Sequence, residues 1–528
     1  MCGIAGIKAG DSGQDVGKDL LTMLNAIKHR GPDGSGIFMD EKIVYDELEN
    51  LETPKASFGM GHNLLSIVGR DVSQPIEKHG LILIANAEIY NFRELKNCLE
   101  DDFKTDSDCE VIISVVKRFY NGSLLDALEK SLQYLDGDYA FAIYDGRDCA
   151  VVRDPLGVKP VYYGQDSLNN KYGFASERKA LWSIGVKNVQ TLPPDHILLN
   201  GVPKKLENRK IYSGIEKACA NEPLTMIGSK GWSGVNEIKD TVNNIPGIND
   251  VSKSKTHKNL TKKHLMELLV DSVEKRIKGL SEVGIIFSGG VDSSIIAKLS
   301  SDLGVDTTLY TVGHETSSDI KYAIKTAETM QLPLKVKKLD VKDVKMYTEL
   351  VLNAIEEFNI MKLGVGMPSY VASEMARADG LKVVMSGQGA DEIFAGYHRY
   401  MQFYKDNGEN TREYLEEDVK NLYHINLQRD DAVTMANSVE LRVPYLDTML
   451  VDTAMKVPMK YKLKGGEDDL RKCILREIAR DIGVPAEIVR RPKKAAQYGS
   501  GIHKILVKKV LRDEHYKTKL ESLLENWE

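Results

Sequence analysis

The 528-residue chain has few of the features that mark secreted proteins, membrane proteins or proteins stabilised by a structural metal. Its six cysteines are scattered with no C-x-x-C pair, so neither a zinc site nor a disulfide framework is indicated. The sequence shows no charged-then-apolar leader and no apolar run near the roughly 20 residues that cross a bilayer. We therefore expect a cytoplasmic protein that is not embedded in a membrane.

Excess positive charge is also missing, because 71 basic residues face 77 acidic ones and the net charge is −6. Nucleic-acid binding needs a basic surface that displaces counterions, so we expect no nucleic-acid partner. Hydrophobic residues at 42% and charged residues at 28% are ordinary for a globular protein. A chain of this length exceeds one hydrophobic core, and we expect two domains.

The first domain is predicted over residues 1–212 and reads as short strands with few helices. Gly, Pro, Asp or Asn bound each strand pattern, as is usual for strands. The strand patterns lie at 81–85, 139–144, 150–152 and 161–163, and helical periods lie at 20–27 and 111–119. Strands with helices laid over them predict a layered α+β domain.

Residues 213–260 are predicted to be a linker or a surface insertion, because Lys, Asn, Ser and Gly dominate there without sustained periodicity. Order is expected to return at Thr261, a residue type suited to a helix N-cap. From there to residue 528, strand patterns at 283–287, 308–312, 334–339 and 381–385 alternate with helical ones. This alternation predicts an α/β domain with a parallel sheet over residues 261–528.

A cysteine follows the first residue of the chain. If Met1 is removed, Cys2 carries both a thiol and a free α-amine whose pKa is about 7.7 to 8.0. The amine can accept the thiol proton, so this nucleophile needs no separate histidine base. The first six residues alone favour the simpler alternative of a small buried cysteine, and the decision rests on the motifs further along the chain.

A glycine-rich turn follows the predicted strand 283–287 and precedes a helical pattern. Glycines let the backbone approach an anion, and the helix start supplies N–H donors and positive potential. The turn lacks the lysine of the G-x-x-x-x-G-K-[ST] loop and does not match G-x-G-x-x-G. Its S-G-G-x-D-S pattern resembles the pyrophosphate loop of enzymes that split ATP between the α and β phosphates. The turn comprises Ser288, Gly289, Gly290, Val291, Asp292, Ser293 and Ser294.

A second, acidic turn over residues 386–392 follows the strand pattern that ends at residue 385. Strand ends in one parallel sheet open onto a common crevice, so the two turns are expected to face each other. Asp292 and Asp391 are then candidate Mg²⁺ ligands, since this cation is commonly held by one or two carboxylates plus phosphates. For either aspartate alone, helix capping is the commoner role.

These stretches together resemble the glutamine-hydrolysing asparagine synthetase family (the asparagine synthetase B family) over nearly the whole chain outside the predicted linker. Many short stretches match in order, which chance does not explain. In the first domain they are 1–4 (MCGI), 29–33 (HRGPD), 65–68 (LSIV), 86–91 (NAEIYN), 107–110 (SDCE), 153–160 (RDPLGVKP) and 176–181 (SERKAL). In the second domain the matching stretches are the two turns at 288–294 and 386–392, together with 438–447 (SVELRVPYLD) and 490–493 (RRPK).

The resemblance implies an N-terminal-nucleophile glutaminase with αββα layers, joined to an ATP-pyrophosphatase domain of the adenine nucleotide alpha hydrolase-like type. The implied reaction converts L-aspartate to L-asparagine through β-aspartyl-AMP. Its nitrogen comes from L-glutamine or free ammonia, and AMP, pyrophosphate and L-glutamate are the other products. ATP and Mg²⁺ are the implied cofactors, and the partners are small molecules. Since family members are often dimers, the resemblance allows a homodimer.

The resemblance also assigns roles to single residues. Cys2 would attack the glutamine amide, and the Asn86 side chain with the Ala87 N–H would hold the oxyanion. Lys493 would neutralise charge on the phosphates, with Lys494 as the second choice and solvated surface as the alternative for both. Glutamine would contact Leu65, Glu88 and Asp108. ATP and pyrophosphate would contact Ser288, Gly289, Gly290, Asp292, Ser293, Ser294, Val312, Gly313, Ser386 and Gly387. Aspartate would contact Gln388, Asp391 and Glu392.

This chain departs from the family pattern at several positions. Leu64 stands where an arginine usually clamps the glutamine α-carboxylate, so either another cation such as Arg70 or Arg30 substitutes, or glutamine binds poorly and free ammonia is the better donor. Ala87 stands where glycine is usual, which requires a negative φ. Gln388 replaces a glutamate, and residues 362–368 lack the arginine and the serine-threonine of many relatives. Two alternatives therefore stay open: an adenylating amidotransferase for another carboxylate, and a nucleotide-binding regulatory protein with a decayed glutaminase.

Overall fold

A computed structural model of the chain describes residues 2–10, 14–67, 73–166, 171–206, 250–464, 470–491 and 499–525. Two antiparallel sheets form the first part and one parallel sheet forms the second. Strands β1 to β18 and helices α1 to α20 are numbered in chain order within these residues. The predicted domain boundaries stay predictions, because residues 207–249 lie outside the described part.

The first sheet has seven antiparallel strands in the order β11-β9-β10-β1-β4-β2-β3. The first strand runs beside the fourth, with Gly3 opposite Asn63 and Lys8 opposite Phe58. Its strands are β1 (Gly3–Lys8), β2 (Ser35–Met39), β3 (Lys42–Asp46), β4 (Phe58–Asn63), β9 (Tyr162–Asp166), β10 (Lys171–Ala175) and β11 (Gln190–Thr191). This sheet places Cys2 at the start of a central strand.

The second sheet has six antiparallel strands in the order β13-β12-β8-β7-β6-β5. Its strands are β5 (Ile76–Lys78), β6 (Leu81–Ile89), β7 (Gly137–Tyr144), β8 (Cys149–Arg153), β12 (His196–Leu199) and β13 (Val202–Lys205). The β6 and β7 strands are almost wholly buried, which matches the apolar runs from which they were predicted. Asn86, Ala87 and Glu88 lie near the end of β6.

Helices cover the outer faces of both sheets. The helices of this part are α1 (Gly17–Ala26), α2 (Phe92–Cys98), α3 (Glu110–Phe119), α4 (Leu124–Ser131) and α5 (Arg178–Trp182). One apolar cluster, including Ile4, Met60 and Ile84, fills the space between the sheets, and two further clusters lie under the helices. The αββα layering that the resemblance implies is therefore confirmed.

The second part is built on a parallel sheet in the order β16-β15-β14-β17-β18, as predicted. Its strands are β14 (Glu282–Ile286), β15 (Asp306–Gly313), β16 (Leu334–Lys338), β17 (Val383–Met385) and β18 (Glu440–Arg442). A parallel sheet is normally buried on both faces, and helices supply that cover here. The carboxyl ends of β14, β15 and β17 meet at one edge of the sheet.

The helices of this part are α6 (Asp250–Ile277), α7 (Val291–Asp302), α8 (Ser318–Met330), α9 (Val341–Ile355), α10 (Ile360–Ala378), α11 (Ala390–Ile393), α12 (Arg399–Asn407), α13 (Thr411–Leu422), α14 (Gln428–Met435), α15 (Thr448–Lys456), α16 (Met459–Lys462), α17 (Cys473–Asp481), α18 (Ala486–Val489), α19 (Ile502–Ile505) and α20 (Glu514–Glu525). The prediction that order returns at Thr261 is wrong, because α6 already begins at Asp250. Thr261 lies inside this helix, and its hydroxyl donates to the His257 carbonyl at 2.9 Å.

No helix in the described residues is both long enough and apolar enough to span a bilayer.

Buried ion pairs join the two parts. The Arg30 guanidinium is fully buried and donates to Glu177 and Asp431 at 2.8 Å each. The Ser438 hydroxyl donates to the His29 carbonyl at 2.6 Å. Breaking a buried pair leaves an uncompensated charge, so these contacts hold the two parts in one arrangement.

One disulfide departs from the sequence-based expectation. Cys98 is disulfide-bonded, a bond that the scattered cysteine spacing does not predict. Cys2, Cys109, Cys149 and Cys473 are buried free thiols.

Candidate active sites

Cys2 lies in the wall of a cavity of about 140 Å³ in the first part. Its backbone N–H donates to Asn86 Oδ1 at 3.0 Å, and Arg30 Nε donates to its carbonyl at 3.3 Å. Burial raises the pKa of the Cys2 thiol, and the backbone N–H of Leu65 acts in the opposite direction. The thiol therefore needs a nearby proton acceptor to form a thiolate at neutral pH.

Asn86 presents an unused donor beside Cys2. Its side chain is fully buried, and within the part of the chain that the structure describes its Nδ2 has no hydrogen-bond acceptor. A buried donor without a partner is costly unless a ligand accepts its hydrogen bond. Ala87 follows it in β6 with a negative φ, so alanine in place of glycine causes no backbone strain.

Two carboxylates lie in the same cavity wall, as the sequence predicts. The Ile89 N–H donates to Asp108 Oδ2 at 2.6 Å, which orients that carboxylate, and burial raises its pKa. Burial also raises the pKa of Glu88 to about 7. Leu65 lines this cavity too. Cys2, Ala87, Glu88 and Asp108 are therefore brought together, with Asn86 bonded to Cys2.

Arg442 and Glu440, an ion pair from the second part of the chain, reach this region and were not singled out from the sequence. Arg442 lines the cavity, and its Nη2 lies 2.9 Å from Glu88 Oε1. Its Nε donates to Glu440 at 2.7 Å, and the charge of Glu440 raises the pKa of the Cys2 thiol. Both residues belong to β18 and lie within the stretch 438–447 that carries the resemblance. The available signal in the sequence was an acidic and a basic residue two positions apart in a three-residue strand.

The position of Leu64 in the cavity wall is confirmed, and one proposed substitute for the missing arginine is wrong. Arg30 is held by Glu177 and Asp431 and is not a wall residue of this cavity. The other proposed substitute, Arg70, lies outside the described residues.

A second cavity of about 750 Å³ lies at the carboxyl edge of the parallel sheet. Gly289 has φ +65°, and a Cβ there would lie 2.8 Å from the α8 backbone, so the turn requires glycine at this position. The predicted residues that line the cavity are Ser288, Asp292, Ser293, Val312, Ser386, Gly387, Gln388, Asp391 and Glu392. Gly289, Gly290, Ser294 and Gly313 lie beside these without lining it. The two turns therefore face each other, as predicted.

Lys472 joins the two predicted metal ligands and was missed by the sequence analysis. Its Nζ lies 2.8 Å from both carboxylate oxygens of Asp292 and 2.6 Å from Asp391 Oδ1. Its side chain is about 1% exposed, and its backbone adopts φ +58° before α17. The lysine has no motif around it, so the sequence offered no signal for this contact.

Asp292 and Asp391 fit a magnesium ion by their chemistry. No group of three or more His, Cys, Asp or Glu side chains within the described residues could hold a metal ion alone. Mg²⁺ is commonly bound by one or two carboxylates with phosphates and water completing its shell. The bridging Lys472 shows that the two carboxylates converge on one cation.

Glu392 is a buried acid in the wall of the second cavity. Burial and the neighbouring Asp391 raise its pKa to about 7. Its Oε1 accepts from Tyr397 Oη at 2.6 Å and from Asn426 Nδ2 at 3.2 Å. Its Oε2 is buried and has no hydrogen-bond partner among the residues described. This oxygen is available to a substrate.

The segment 362–368 forms part of α10 beside this cavity. Lys362 lines the cavity and pairs with Glu357 at 2.5 Å. A Cβ at Gly364 would lie 2.4 Å from His503 Nδ1, so the His503 ring fills the space that a side chain at this position would need. Lys362 therefore contributes to the cavity wall, while the glycine at position 364 makes room for His503.

Arg491 connects the C-terminal region to the glycine-rich turn. Its Nη1 donates to the Ser288 carbonyl at 3.0 Å, and its Nη2 pairs with Asp319 at the same distance. The guanidinium lies 3.8 Å from the centre of the Tyr322 ring. Lys493 and Lys494 lie outside the described residues.

Comparison with known proteins agrees with this two-part arrangement. Residues 1–230 match the glutamine amidotransferase domain, and residues 264–412 and 404–524 match asparagine synthase. A putative glutamine-hydrolysing asparagine synthetase of Methanocaldococcus jannaschii is 40% identical, covering 96% of this chain and 95% of its own. Asparagine synthetase B of Escherichia coli is 28% identical over 95% of this chain and 82% of its own. A glutamine phosphoribosylpyrophosphate amidotransferase structure from B. subtilis is 21% identical, with a TM-score of 0.36 over 63% of this chain and 65% of that one.

Proposed function

We propose, from the premise that the chain belongs to the family of glutamine-hydrolysing asparagine synthetases, that it forms L-asparagine through a β-aspartyl-AMP intermediate. It is a carbon-nitrogen ligase that uses aspartate, glutamine and ATP. The observation that carries the proposal is that one strand lies between both cavities. In β18, Arg442 lines the Cys2 cavity and Leu441 lines the cavity of the glycine-rich turn.

In the first cavity, Cys2 Sγ attacks the side-chain amide carbon of glutamine. The α-amine left by removal of Met1 accepts the thiol proton and delivers it to the departing ammonia. Asn86 Nδ2, which lacks a partner within the described part, and the Ala87 N–H donate to the developing oxyanion. Asp108 and Glu88 pair with the substrate ammonium. Water then hydrolyses the thioester and releases glutamate.

In the second cavity, the aspartate side-chain carboxylate attacks the α-phosphorus of ATP, and pyrophosphate leaves. The turn at Ser288, Asp292 and Ser293 receives the departing pyrophosphate, since a glycine-rich turn at a helix start binds anions. A magnesium ion held by Asp292 and Asp391 would neutralise phosphate charge. Ammonia then attacks the acyl carbon, and AMP leaves. Lys493 would add positive charge on the phosphates.

The wall of the second cavity departs from the family pattern, and this favours a second candidate for the carboxylate that is adenylated. Gln388 presents an amide where a carboxylate is usual, and Lys362 lies nearby in the same cavity. A cavity with this altered charge suits adenylation of a carboxylate other than aspartate. The homodimer and the cytoplasmic location remain predictions.

The test uses amide-¹⁵N-labelled glutamine, ATP, Mg²⁺ and aspartate, with mass spectrometry of the products. We expect ¹⁵N-asparagine, AMP, pyrophosphate and glutamate in equal amounts. Cys2→Ala should lose the glutamine-dependent reaction and retain the ammonium-dependent one, because the two half-reactions use separate cavities. Pyrophosphate release that requires another carboxylate would select the second candidate, and nucleotide binding without AMP would contradict both.

A further inference from the structure

The Cys2 cavity is lined by four cationic side chains and by the three carboxylates Glu88, Asp106 and Asp108. Free glutamine presents an amide, an ammonium and an α-carboxylate, and the last of these needs a cation in a selective site. Leu64 stands in the wall where that cation would be expected. The cations that line the cavity are Arg93, Lys275, Lys278 and Arg442.

Two of these four cations are already neutralised by the protein. Lys275 Nζ lies 2.8 Å from Asp136 and also pairs with Asp447. Arg442 pairs with Glu88 and Glu440. A cation bound to two carboxylates carries no surplus charge for a ligand, so neither is suited to bind a third carboxylate.

The other two cations carry their charge without a protein counterion. Arg93 and Lys278 are exposed, and among the described residues neither has a carboxylate oxygen within 4 Å of its cationic nitrogens. Arg93 is the second residue of α2, and its guanidinium lies 5.5 Å from the ring of Phe92, which also lines the cavity. Lys278 follows the last residue of α6, so it comes from the second part of the chain.

We propose that Arg93 and Lys278 together bind the α-carboxylate of glutamine and replace the arginine missing at position 64. This assignment rests on the glutaminase activity proposed above. Of the two cations, Arg93 belongs to the first part of the chain and Lys278 to the second. Solvated cations attract a carboxylate more weakly than a buried bidentate arginine does. The site is therefore selective for the α-carboxylate but binds glutamine with modest affinity.

The experiment compares L-glutamine with L-glutamine α-methyl ester, which keeps the amide and the ammonium but lacks the α-carboxylate charge. Glutamate or its ester is measured for the wild type, Arg93→Ala, Lys278→Ala and the double variant. We expect the double variant to raise KM for glutamine about tenfold and to lower the preference for glutamine over the ester by a similar factor. Arg93→Lys should retain most of the preference, because it keeps the charge.

Lys263→Ala is the matched control, since Lys263 is an exposed lysine on α6, the helix that Lys278 follows, and it has Glu267 as its ion-pair partner. It should behave as the wild type. Adding Leu64→Arg to the double variant should restore the preference for glutamine. An unchanged KM and preference in the double variant would overturn the assignment. A wild-type protein that releases no glutamate also overturns it, and this result separately identifies failure of the proposed glutaminase.

Discussion

Arg442, at the edge of the parallel sheet, forms an ion pair with Glu88 in the wall of the Cys2 cavity, with Nη2 2.9 Å from Oε1. The contact runs between residues of the two different parts of the chain. Burial raises the pKa of Glu88 to about 7, and the positive charge of Arg442 opposes that rise. The ionisation of a glutaminase residue therefore depends on the synthetase part.

Replacement of Arg442 should weaken glutamine binding in a pH-dependent way. In Arg442→Met the pKa of Glu88 rises above its present value, so at neutral pH Glu88 is protonated and no longer attracts the substrate ammonium. We expect KM for glutamine to rise about tenfold near pH 7 and to recover in part by about pH 8.5. Steady-state glutaminase assays over this range measure the effect.

Glu88→Gln provides the matched comparison, because its amide does not titrate in this range. Its KM should be high at every pH. A wild-type pH profile in Arg442→Met would show that the ion pair does not control Glu88.

Loss of the unused donor on Asn86 should slow the glutaminase step with little change in glutamine binding. Asn86→Ala removes the Nδ2 donor and also the Oδ1 that accepts from the Cys2 N–H. Asn86→Asp keeps an acceptor for the Cys2 N–H, but it replaces the donor with a carboxylate oxygen and adds a negative charge beside the developing oxyanion. Removal of one oxyanion donor costs about 10²- to 10³-fold in kcat, and we expect both variants to show it.

Ammonium-dependent synthesis serves as the internal reference for these variants, since it does not pass through the thioester. Should Asn86→Asp hydrolyse glutamine at the wild-type rate, Asn86 is not the oxyanion donor.

The local parts of both sites could be predicted from sequence. A glycine turn after an apolar strand, as at residues 283–294, is a short-range pattern, and its backbone geometry is set by neighbours in the chain. Contacts between distant segments were not predictable. Lys472 reaches Asp292 across 180 positions and Arg30 reaches Asp431 across 401, and periodicity carries no information about such pairs.

The start of α6 was missed for a different reason. Residues 250–260 are mostly polar, so apolar periodicity is weak there, although the helix runs from Asp250 to Ile277. Hydrophobic patterning detects the buried face of a helix. A first segment with few apolar residues therefore reads as a linker.

Lys472 should act as a resident cation that competes with a metal ion for Asp292 and Asp391. Lys472→Met leaves the two carboxylates converging without their shared positive charge. Because like charges held together attract a divalent cation, we expect Mn²⁺ to bind roughly tenfold more tightly in the absence of nucleotide. Electron paramagnetic resonance titration with Mn²⁺ measures this directly.

The Lys472→Arg variant keeps the charge and should show wild-type Mn²⁺ affinity. Aspartate-dependent pyrophosphate release should fall in Lys472→Met, because the carboxylates lose the contact that orients them. Equal Mn²⁺ affinity in wild type and Lys472→Met would mean that the lysine does not occupy the metal position.

Titration of Glu392 should be visible both in catalysis and in stability. Its pKa of about 7 lies above the ordinary value of a glutamate, because burial and Asp391 disfavour the charged form. The folded state thus holds this proton more tightly than the unfolded state does. The free energy of unfolding therefore falls as pH rises from about 4.5 to about 7, and the cost is fully present at about pH 8.

Glu392→Gln removes that cost while keeping the shape of the side chain. At about pH 8 we expect the variant to be more stable than the wild type by roughly 1–3 kcal/mol, and at about pH 4.5 the difference should vanish. Urea unfolding at both pH values measures it. If the charged Glu392 accepts a proton from the incoming amine, ammonium-dependent synthesis in the wild type rises around pH 7, and in Glu392→Gln this rise disappears. If Glu392→Gln gains stability but its ammonium-dependent synthesis keeps the wild-type pH profile, the group that titrates in catalysis is not Glu392. The variant has no carboxylate at this position that could titrate.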